Sequence, residues 1–598
     1  MCGLVASFNP LGVNTGLLAK ALGMLKHRGP DNQGYKTVCD GKVFLGHVRL
    51  KIIDLSDASN QPMVSPCGRY LLVYNGEIYN FKELMNEIGS DWKWRTRSDT
   101  EVLLAMYVRY GKKCLDRLSG MFTFVIYDTH KKTLFIARDR FGIKPAYFTN
   151  ENGQFSISSE IPPLLKLIEQ VNEDSSMIRT YLETGMYNFD EHTFFDNVYS
   201  LKAGHYLDFD CSTGKLQLTQ WYDFLEHVMD LSKYTYDDLV FETEEKINSA
   251  ISSHLISDVN VGLNVSGGVD SSMLVKQTLK ELKTAHFFTQ DYDGYSELPW
   301  VNEISDGGTL HVSTLDSDLI DDVLNAEVIS QAEPFGGVTV CGYNYLYRNA
   351  DKNNITVLLD GNGVDEIFLG YKKYHQSYVN EANNDLDRTK RENDYEEFWS
   401  EKISGVNSNN CLAIDGTIPV KSGVISSRLL ECNAYSVPKI EYFDSKVRNN
   451  AATDLLYTKI PRGLRFNDRV SMSNSKELRV PFLDHKLAEF AFGIDNKFLL
   501  NKKGTKVIFR DILAKFAPDN VAYSSKRSVQ SPQREWLAKQ WKNKVTDVIN
   551  SESFLERGWV DPDKANKAFN QYIDGDNSNS FFIWQWLNLE LWAREYLN

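Results

Sequence analysis

A cysteine stands at the second position of the chain, directly after the initiator methionine. Removal of Met1 would leave Cys2 with a free α-amine beside its thiol, and an amine of near-neutral pKa can take the thiol proton without a distant histidine. One residue would then supply both the nucleophile and its base. A cysteine also occurs at position 2 by chance, so this interpretation depends on the residues that accompany it.

A second cluster of residues that could take part in chemistry lies at 263–272, which read LNVSGGVDSS. An apolar run leads into a turn rich in serine and glycine, and a helical pattern follows from about Ser271 to Leu282. Backbone N–H groups in such a loop, together with the N-terminus of the helix, form an anion site. The Gly-Lys-Ser/Thr ending of a P-loop NTPase is absent, so the loop indicates a different nucleotide chemistry.

The elements that position these residues change in character along the chain. From Val43 to about Ser159, short β-type runs alternate with turns, and an apolar helical pattern covers residues 100–110. After about Asp223, strand-like runs alternate with helices, which predicts a parallel, doubly wound sheet. The runs 261–265 and 355–359 each end in a glycine-containing loop, so we expect a site between these two loops.

Composition excludes several classes of function. The 66 Lys and Arg residues against 80 Asp and Glu give a net charge of −14, which argues against nucleic acid and anionic membranes as partners. No apolar stretch is long enough for a membrane span, and the start lacks a signal-peptide pattern. We therefore expect a cytoplasmic protein. The 8 cysteines are scattered without a CxxC pair, which is typical of ordinary thiols.

Several short motifs accompany Cys2 in the first part of the chain. They are KHRGPD at 26–31, HVRLKIID at 47–54, YNGEIYN at 74–80, SDTE at 98–101 and DRFGIKP at 139–145. With the Met-Cys-Gly start, this set resembles the class II glutamine amidotransferase domain over about the first 210 residues. The resemblance implies an α+β N-terminal-nucleophile fold with αββα layers, which hydrolyses glutamine to glutamate and ammonia.

Glutamine hydrolysis makes specific demands on such a site. Attack of a thiolate on a carboxamide develops an oxyanion, which the Asn75 side chain and the Gly76 N–H could stabilise. Free glutamine is a zwitterion, so its carboxylate needs a cation and its ammonium needs anions. The resemblance assigns the first role to Arg49 and the second to Glu77 and Asp99. The alternative is that Arg49 and Asp99 are solvated surface charges.

The sequence SGGVDS at 266–271 resembles the PP-loop of ATP pyrophosphatases, which split ATP into AMP and pyrophosphate to activate a carboxylate. The resemblance assigns Mg²⁺ to Asp270 and to Asp365 of the later acidic loop LDGNGVDEIFLGY, because hard oxygen ligands suit that ion. The alternative is that these carboxylates only cap helices. The implied ATP site comprises Val265, Ser266, Gly267, Gly268, Asp270, Ser271, Ser272, Asp360 and Gly361.

A class II glutaminase followed by SGGxDS and an Asp-Glu loop is the arrangement of the glutamine-hydrolysing asparagine synthetase family. LRFNDRVSM at 464–472, ELRVPFLDH at 477–485 and KGTKVIFR at 503–510 also match. Alignment with the last motif makes Lys506 a catalytic cation on pyrophosphate, the alternative being a surface lysine. The resemblance implies a glutaminase domain at 1–210, an α/β synthetase domain at 211–598 with a variable region at 375–450, and a homodimer.

One position departs from the family pattern. The usual second loop reads SGEGSDE, whereas this chain has Asn362 where a glutamate is expected. An amide cannot act as a carboxylate base, so either another group handles the proton or the acceptor differs. QAEPFGG at 331–337 and SPQREW at 531–536 are more similar to a branch found in surface-polysaccharide pathways, some members of which amidate uronic acids.

Three interpretations of the function stay open. Two of them differ in the acceptor of the reaction, and the third is not enzymatic. The leading one is amidation of aspartate to asparagine with glutamine and ATP. The second uses a nucleotide-linked or lipid-linked uronic acid. A degenerate scaffold that only binds glutamine or nucleotide is the third, and the intact Cys2, Arg49, Asp99, Asp270 and Asp365 argue against it.

Overall fold

The structure is a computed structural model of the 598-residue chain. It describes residues 2–282, 284–315, 319–403, 420–525, 531–576 and 579–597. Met1, whose removal is expected, lies outside the described residues. So do residues 404–419 of the predicted variable region.

Strands occur in both halves of the described chain. They are β1 (Gly3–Phe8), β2 (Asn32–Val38), β3 (Val43–Arg49), β4 (Met63–Val64), β5 (Tyr70–Ile78), β6 (Gly120–Asp128), β7 (Thr133–Arg138), β8 (Tyr147–Glu151), β9 (Gln154–Ser158), β10 (Tyr199–Ser200), β11 (His205–Asp210), β12 (Leu216–Gln220), β13 (Val261–Asn264), β14 (His286–Asp291), β15 (Thr309–Thr314), β16 (Val357–Leu359) and β17 (Glu477–Arg479).

The helices are concentrated in the second half. They are α1 (Thr15–Gly23), α2 (Phe81–Ile88), α3 (Asp99–Tyr110), α4 (Ile161–Leu165), α5 (Ser175–Thr184), α6 (Tyr236–His254), α7 (Val269–Glu281), α8 (Leu298–Ile304), α9 (Ile320–Gln331), α10 (Val338–Lys352), α11 (Val364–Ile367), α12 (Lys372–Asn380), α13 (Asp385–Trp399), α14 (Ser427–Leu430), α15 (Lys446–Thr453), α16 (Ile460–Ser473), α17 (His485–Phe492), α18 (Val507–Leu513), α19 (Asp519–Ala522), α20 (Gln533–Ala538), α21 (Lys542–Ile549), α22 (Glu552–Arg557), α23 (Pro562–Ile573) and α24 (Phe581–Tyr596).

The first half contains two six-stranded antiparallel sheets, ordered β10-β8-β9-β1-β3-β2 and β12-β11-β7-β6-β5-β4. Alternation along β1 shows how they pack. Leu4 and Ala6 face the second sheet in one apolar cluster, whereas Val5 packs with Leu18 and Leu22 of α1 on the outer face. Helices α2 and α3 cover the outer face of the second sheet. The predicted αββα layers are confirmed. The predicted domain division at residue 210 stays a prediction.

The second half is built on a five-stranded sheet ordered β15-β14-β13-β16-β17, and every pair in it is parallel. The expected parallel sheet is therefore confirmed. Strands β13 and β16 are neighbours, with Leu263 opposite Leu359. Because parallel strands end at the same edge of a sheet, the two loops that follow them meet there.

Local signals explain individual helices. Ser98 caps α3, because its hydroxyl oxygen accepts from the N–H of Glu101. Most aromatic residues of α24 lie in the core: the Trp584 indole donates to the carbonyl of Phe335 at 2.7 Å. The polar segment after residue 380, which is part of the predicted variable region, contains α13, which Asn384 caps.

Within the residues that the structure describes, no helix combines the length and apolar character that a membrane crossing requires.

Candidate functional site: two centres joined by one strand

Cys2 lies at the start of β1, inside the protein rather than on an exposed tail. Its backbone N–H donates to Asn75 Oδ1 at 3.1 Å, and its carbonyl accepts from Nε of Arg28 at 3.0 Å. The thiol faces a small pocket, and burial raises its pKa. Six of the residues that line this pocket are Cys2, Arg49, Gly76, Glu77, Asp99 and Glu477.

Asn75 and Gly76 are adjacent on β5, beside the nucleophile. Because the Asn75 carbonyl oxygen is occupied by Cys2, its Nδ2 is directed elsewhere, and it is buried with no hydrogen-bond partner among the described residues. A Cβ at Gly76 would lie 2.2 Å from the carbonyl oxygen of Met121, so only glycine fits. An unpaired buried amide beside a thiol is suited to receive a developing oxyanion.

Arg49 supplies the cation at one end of the pocket. Its Nη1 donates to the carbonyl of Ser56 at 2.7 Å and to Asn60 Oδ1 at 2.9 Å. Its Nη2 donates to the carbonyl of Asp54. These neutral acceptors fix the guanidinium without neutralising its charge, so it remains able to bind a carboxylate.

Glu77 and Asp99 supply negative charge at the same pocket. Asp99 accepts from the Tyr74 hydroxyl at 2.7 Å and from the N–H of Ile78 at 3.1 Å. Glu77 Oε1 is buried with no hydrogen-bond partner in the described part of the chain. Burial raises the pKa of Asp99 to about 6, and burial with the neighbouring Asp99 raises that of Glu77. Such a site favours a bound cation, such as an α-ammonium group.

The second half of the chain completes this pocket, which sequence reasoning missed. Arg479 is fully buried and pairs with Glu77 Oε2 at 3.2 Å and with Glu477 Oε1 at 2.6 Å. Burial alone would raise the pKa of Glu477, but positive charge that includes Arg479 lowers it to about 2. Both residues belong to β17. The signal available in the sequence was two charged residues within the short apolar run ELRVPF.

A buried ion-pair cluster also crosses between the halves. Arg28 donates to Glu160 at 2.7 Å and to Asp468 Oδ2 at 2.8 Å, and Arg469 lies 3.2 Å from Glu160. Asp468 and Arg469 belong to α16. Because Arg28 also holds the Cys2 carbonyl, a helix of the second half bears on the position of the nucleophile. The motifs HRGP and NDR contained these residues, but no pattern indicated that they meet.

The other centre lies at the carboxyl end of the parallel sheet. Ser271 Oγ donates to the Ser266 carbonyl at 2.6 Å, and Ser272 Oγ donates to the Gly268 carbonyl at 2.8 Å, which fixes the loop after β13. Val265 precedes this loop, and its N–H donates to the Phe288 carbonyl at 2.8 Å. A Cβ at Gly267 would lie 2.7 Å from Cβ of Trp300, and Gly268 directly precedes α7.

Three predicted charged residues meet at this edge. Lys506 Nζ lies 2.6 Å from Asp270 Oδ1 and 2.6 Å from Asp365 Oδ1. Burial alone would lower the pKa of Lys506, but the two carboxylates raise it. A Cβ on Gly361 would lie 3.3 Å from Cβ of Asp270, so the two loops are in contact. Asp360 accepts from Asn264 Nδ2 at 2.9 Å.

This donor set fits the Mg²⁺ that the resemblance implies. Asp270 and Asp365 both contact one ammonium group, and carboxylate oxygens are the ligands Mg²⁺ prefers. When bound, the ion would neutralise charge on phosphate oxygens. Lys506 is only 4% exposed and has a left-handed backbone with φ of 58°, so it is a positioned cation rather than a surface lysine.

Comparison with known families assigns both halves of the chain. The family described as glutamine amidotransferase domain matches residues 1–222, and the family described as asparagine synthase matches residues 242–594. The chain thus has a glutamine amidotransferase domain followed by an asparagine synthase domain, and it belongs to the asparagine synthase family. It is a glutamine-dependent amidotransferase with a carbon–nitrogen ligase domain of the type that uses ATP.

Relatives match over most of their length. The chain is 27% identical to glutamine-hydrolyzing asparagine synthetase 1 of Bacillus subtilis, over 99% of this chain and 97% of that protein. It is 26% identical to amidase chry2 of Gibberella zeae, over 93% and 91%. A solved structure of glutamine phosphoribosylpyrophosphate amidotransferase of B. subtilis aligns with 52% of this chain and with 81% of its own chain. The two are 15% identical, with a TM-score of 0.28.

Proposed function

We propose that the enzyme hydrolyses glutamine at Cys2 and transfers the ammonia to a carboxylate that ATP has converted to an adenylate. The products would be glutamate, an amide, AMP and pyrophosphate. L-Aspartate is the acceptor proposed first, with asparagine as the product, because two relatives in Bacillus subtilis that match over most of their length are named asparagine synthetase.

The observation that carries this proposal is the shared use of β17 by the two centres. Glu477 of this strand lines the glutamine pocket, and Arg479 pairs with Glu77 of the same pocket. The backbone carbonyl of Arg479 accepts from the N–H of Asp360 at 2.9 Å, at the edge that holds the ATP loops. Two unrelated activities would not need a common strand, whereas transfer of ammonia requires adjoining centres.

The glutaminase roles follow from the pocket's chemistry. Cys2 would attack the carboxamide carbon, with Asn75 Nδ2 and the Gly76 N–H stabilising the oxyanion. Arg49 would bind the α-carboxylate of glutamine. Glu77 and Asp99 would bind its α-ammonium group, which their surplus negative charge favours.

The synthetase roles follow from the second set of contacts. Backbone N–H groups after β13 and the N-terminus of α7 would hold phosphate oxygens. Asp270 and Asp365 would hold Mg²⁺, and Lys506 would stabilise negative charge as pyrophosphate leaves. Ser266, Ser271 and Ser272 would keep the loop in shape.

Amidation of a uronic acid is the second candidate, and two observations favour it. Asn362 replaces the glutamate expected beside an aspartate acceptor. In the segment 331–337, Gly336 is exposed, and a Cβ there would lie 3.7 Å from the Tyr187 hydroxyl and 3.8 Å from the Phe466 ring. This exposed glycine belongs to the segment QAEPFGG, which is similar to the branch of the family whose members include enzymes that amidate uronic acids.

The test is a screen of carboxylates for acceptor-dependent pyrophosphate release with glutamine and Mg-ATP. L-Aspartate, glucuronate and UDP-glucuronate are the first three probes. Release with aspartate and formation of asparagine would support the first candidate. Pyrophosphate release with a uronic acid but not with aspartate would replace the first candidate by the second. If none of the carboxylates elicits pyrophosphate release, the proposed function is refuted.

We further propose a cytoplasmic homodimer, in keeping with the family resemblance. Both substrates proposed here, glutamine and ATP, are cytoplasmic metabolites. Light scattering coupled to size-exclusion chromatography tests the assembly state, and a monomeric mass would contradict it.

A further inference from the structure

Asp360 joins the ATP centre to β17, the strand whose Glu477 lines the glutaminase pocket. It follows β16, which lies between β13 and β17 in the sheet. On one side Nδ2 of Asn264, the last residue of β13, donates to the carboxylate of Asp360 at 2.9 Å. On the other side its backbone N–H donates to the carbonyl of Arg479. Asp360 therefore connects the end of β13 with the strand that reaches the glutaminase pocket.

The carboxylate of Asp360 reaches the residue at which the family's glutamate is missing. Its Oδ1 accepts from the backbone N–H of Asn362 at 3.1 Å. Relative to the family loop SGEGSDE, a serine has become Asp360 and a glutamate has become Asn362. This loop therefore carries a carboxylate two residues upstream of the position at which the family pattern has its glutamate.

The surroundings of Asp360 differ from those of the other loop carboxylates. Asp270 and Asp365 each contact the ammonium of Lys506, whereas the two hydrogen-bond donors to Asp360 are uncharged amides. The groups that face it electrostatically are Asp270 on α7 and Tyr343 and Tyr347 on α10. Burial, with Asp270 adding to it, raises the pKa of Asp360.

We propose that Asp360 is a catalytic residue of amide formation, and that its carboxylate takes the proton that ammonia loses as it attacks the acyl adenylate. This inference rests on the proposed function. It gives the loop a proton acceptor that Asn362 cannot provide.

The step balances as follows. The nitrogen lone pair of ammonia forms the C–N bond at the adenylate carbonyl carbon, which gives a tetrahedral centre that carries an ammonium group. One proton passes from that nitrogen to an Asp360 carboxylate oxygen. The bond from carbon to the phosphate oxygen then breaks, AMP leaves with the electron pair, and the amide carbonyl re-forms.

The test separates adenylation from amide formation in the full-length enzyme. The acceptor is whichever of L-aspartate and UDP-glucuronate supports pyrophosphate release in the unchanged enzyme, and ammonium chloride replaces glutamine. ATP–pyrophosphate exchange measures adenylation. For Asp360→Ser we expect amide formation to fall about 100-fold or more relative to adenylation, the range for loss of general acid–base catalysis.

A double variant distinguishes a catalytic role of the Asp360 carboxylate from a structural one, because a purely structural role would not be restored by a carboxylate at position 362. Asp360→Ser combined with Asn362→Glu returns the carboxylate to the family position, so we expect it to recover most of the lost amide formation. Asp306→Ser, at an exposed aspartate between α8 and β15, is the matched control. Circular dichroism and the thermal midpoint check folding of each variant.

Three results would overturn the proposal. They are unchanged amide formation in Asp360→Ser, an equal loss of adenylation and amide formation, and no recovery in the double variant. An equal loss would assign the carboxylate to nucleotide binding. If the unchanged enzyme adenylates neither acceptor, the proposed function itself fails for these acceptors, and the inference fails with it.

Discussion

The substitution Asp468→Asn tests whether a helix of the second half positions the nucleophile of the first. Asp468 accepts from Nη1 and Nη2 of Arg28 at 2.8 and 3.2 Å. Nε of the same guanidinium donates to the Cys2 carbonyl at 3.0 Å. The substitution keeps the shape of the side chain and removes its charge, so it isolates the electrostatic contribution.

The magnitude follows from the composition of the buried cluster. Arg28 and Arg469 are both fully buried, and their carboxylates are Glu160 and Asp468. Asparagine at position 468 leaves two guanidinium groups against one carboxylate. Removing one partner of a buried ion pair costs about 3–5 kcal/mol. We therefore expect the free energy of unfolding, measured for the first transition in denaturant, to fall by about that amount.

Catalysis should also suffer, because Arg28 is no longer held in place. A hydrogen bond to a charged group contributes about 1.5–3 kcal/mol. If the Cys2 carbonyl loses that bond, kcat/KM for glutamine hydrolysis falls roughly 10- to 150-fold, since 1.36 kcal/mol corresponds to a factor of ten.

The assay is release of glutamate from glutamine, together with denaturant unfolding. Asp91→Asn is the control, because Asp91 forms an ion pair with Arg109 in which the side chains are 74% and 40% exposed, and exposed pairs contribute little. If Asp468→Asn hydrolyses glutamine and unfolds as the unchanged enzyme does, the second half does not position Cys2 and this reasoning is refuted.

Four further outcomes can be measured. Cys2→Ala should abolish glutamine hydrolysis while ammonium chloride still supports pyrophosphate release; retained glutaminase activity would exclude Cys2 as the nucleophile. Gly370→Ala should abolish pyrophosphate release, because the added Cβ would lie 1.9 Å from Asp365 Oδ1 and 2.1 Å from Cε of Lys506; normal release would contradict that crowding. The KM for glutamine should rise as pH falls below about 6, where Asp99 takes up a proton, and Asp99→Asn should weaken this dependence; a flat profile in the unchanged enzyme would contradict the ammonium role. Chelation of divalent cations by EDTA should stop pyrophosphate release and spare glutamine hydrolysis; equal loss of both would contradict a metal confined to the second centre.

The sequence predicted what is encoded within short segments. The parallel sheet was predicted from the alternation of strand-like and helical runs, and the αββα layers were implied by the family resemblance of the short motifs. Cys2, Arg49 and Asp99 stand in motifs whose residue types match the chemistry, and the structure brings them to one pocket. In these cases the residue type or local spacing carried the information.

Contacts between distant segments were not predictable in the same way. Arg28 and Asp468 are separated by 440 residues, and neither motif indicates its partner. Arg479 and Glu77 are separated by 402 residues. A buried arginine must have partners, but one sequence does not say which carboxylate supplies them. Only the packing of the two halves decides this.

The placement of β17 explains how one short strand serves both centres. It is an edge strand, so one side of it faces away from the rest of the sheet. Residues i and i+2 of a strand share a face. Glu477 therefore lines the glutamine pocket while Arg479, on the same face, pairs with Glu77 and Glu477, and Leu478 packs in the core. The backbone of Arg479 meanwhile pairs with Asp360. A shift of β17 would thus alter the glutamine pocket and the ATP edge together, which gives a physical route by which occupancy of one centre affects the other.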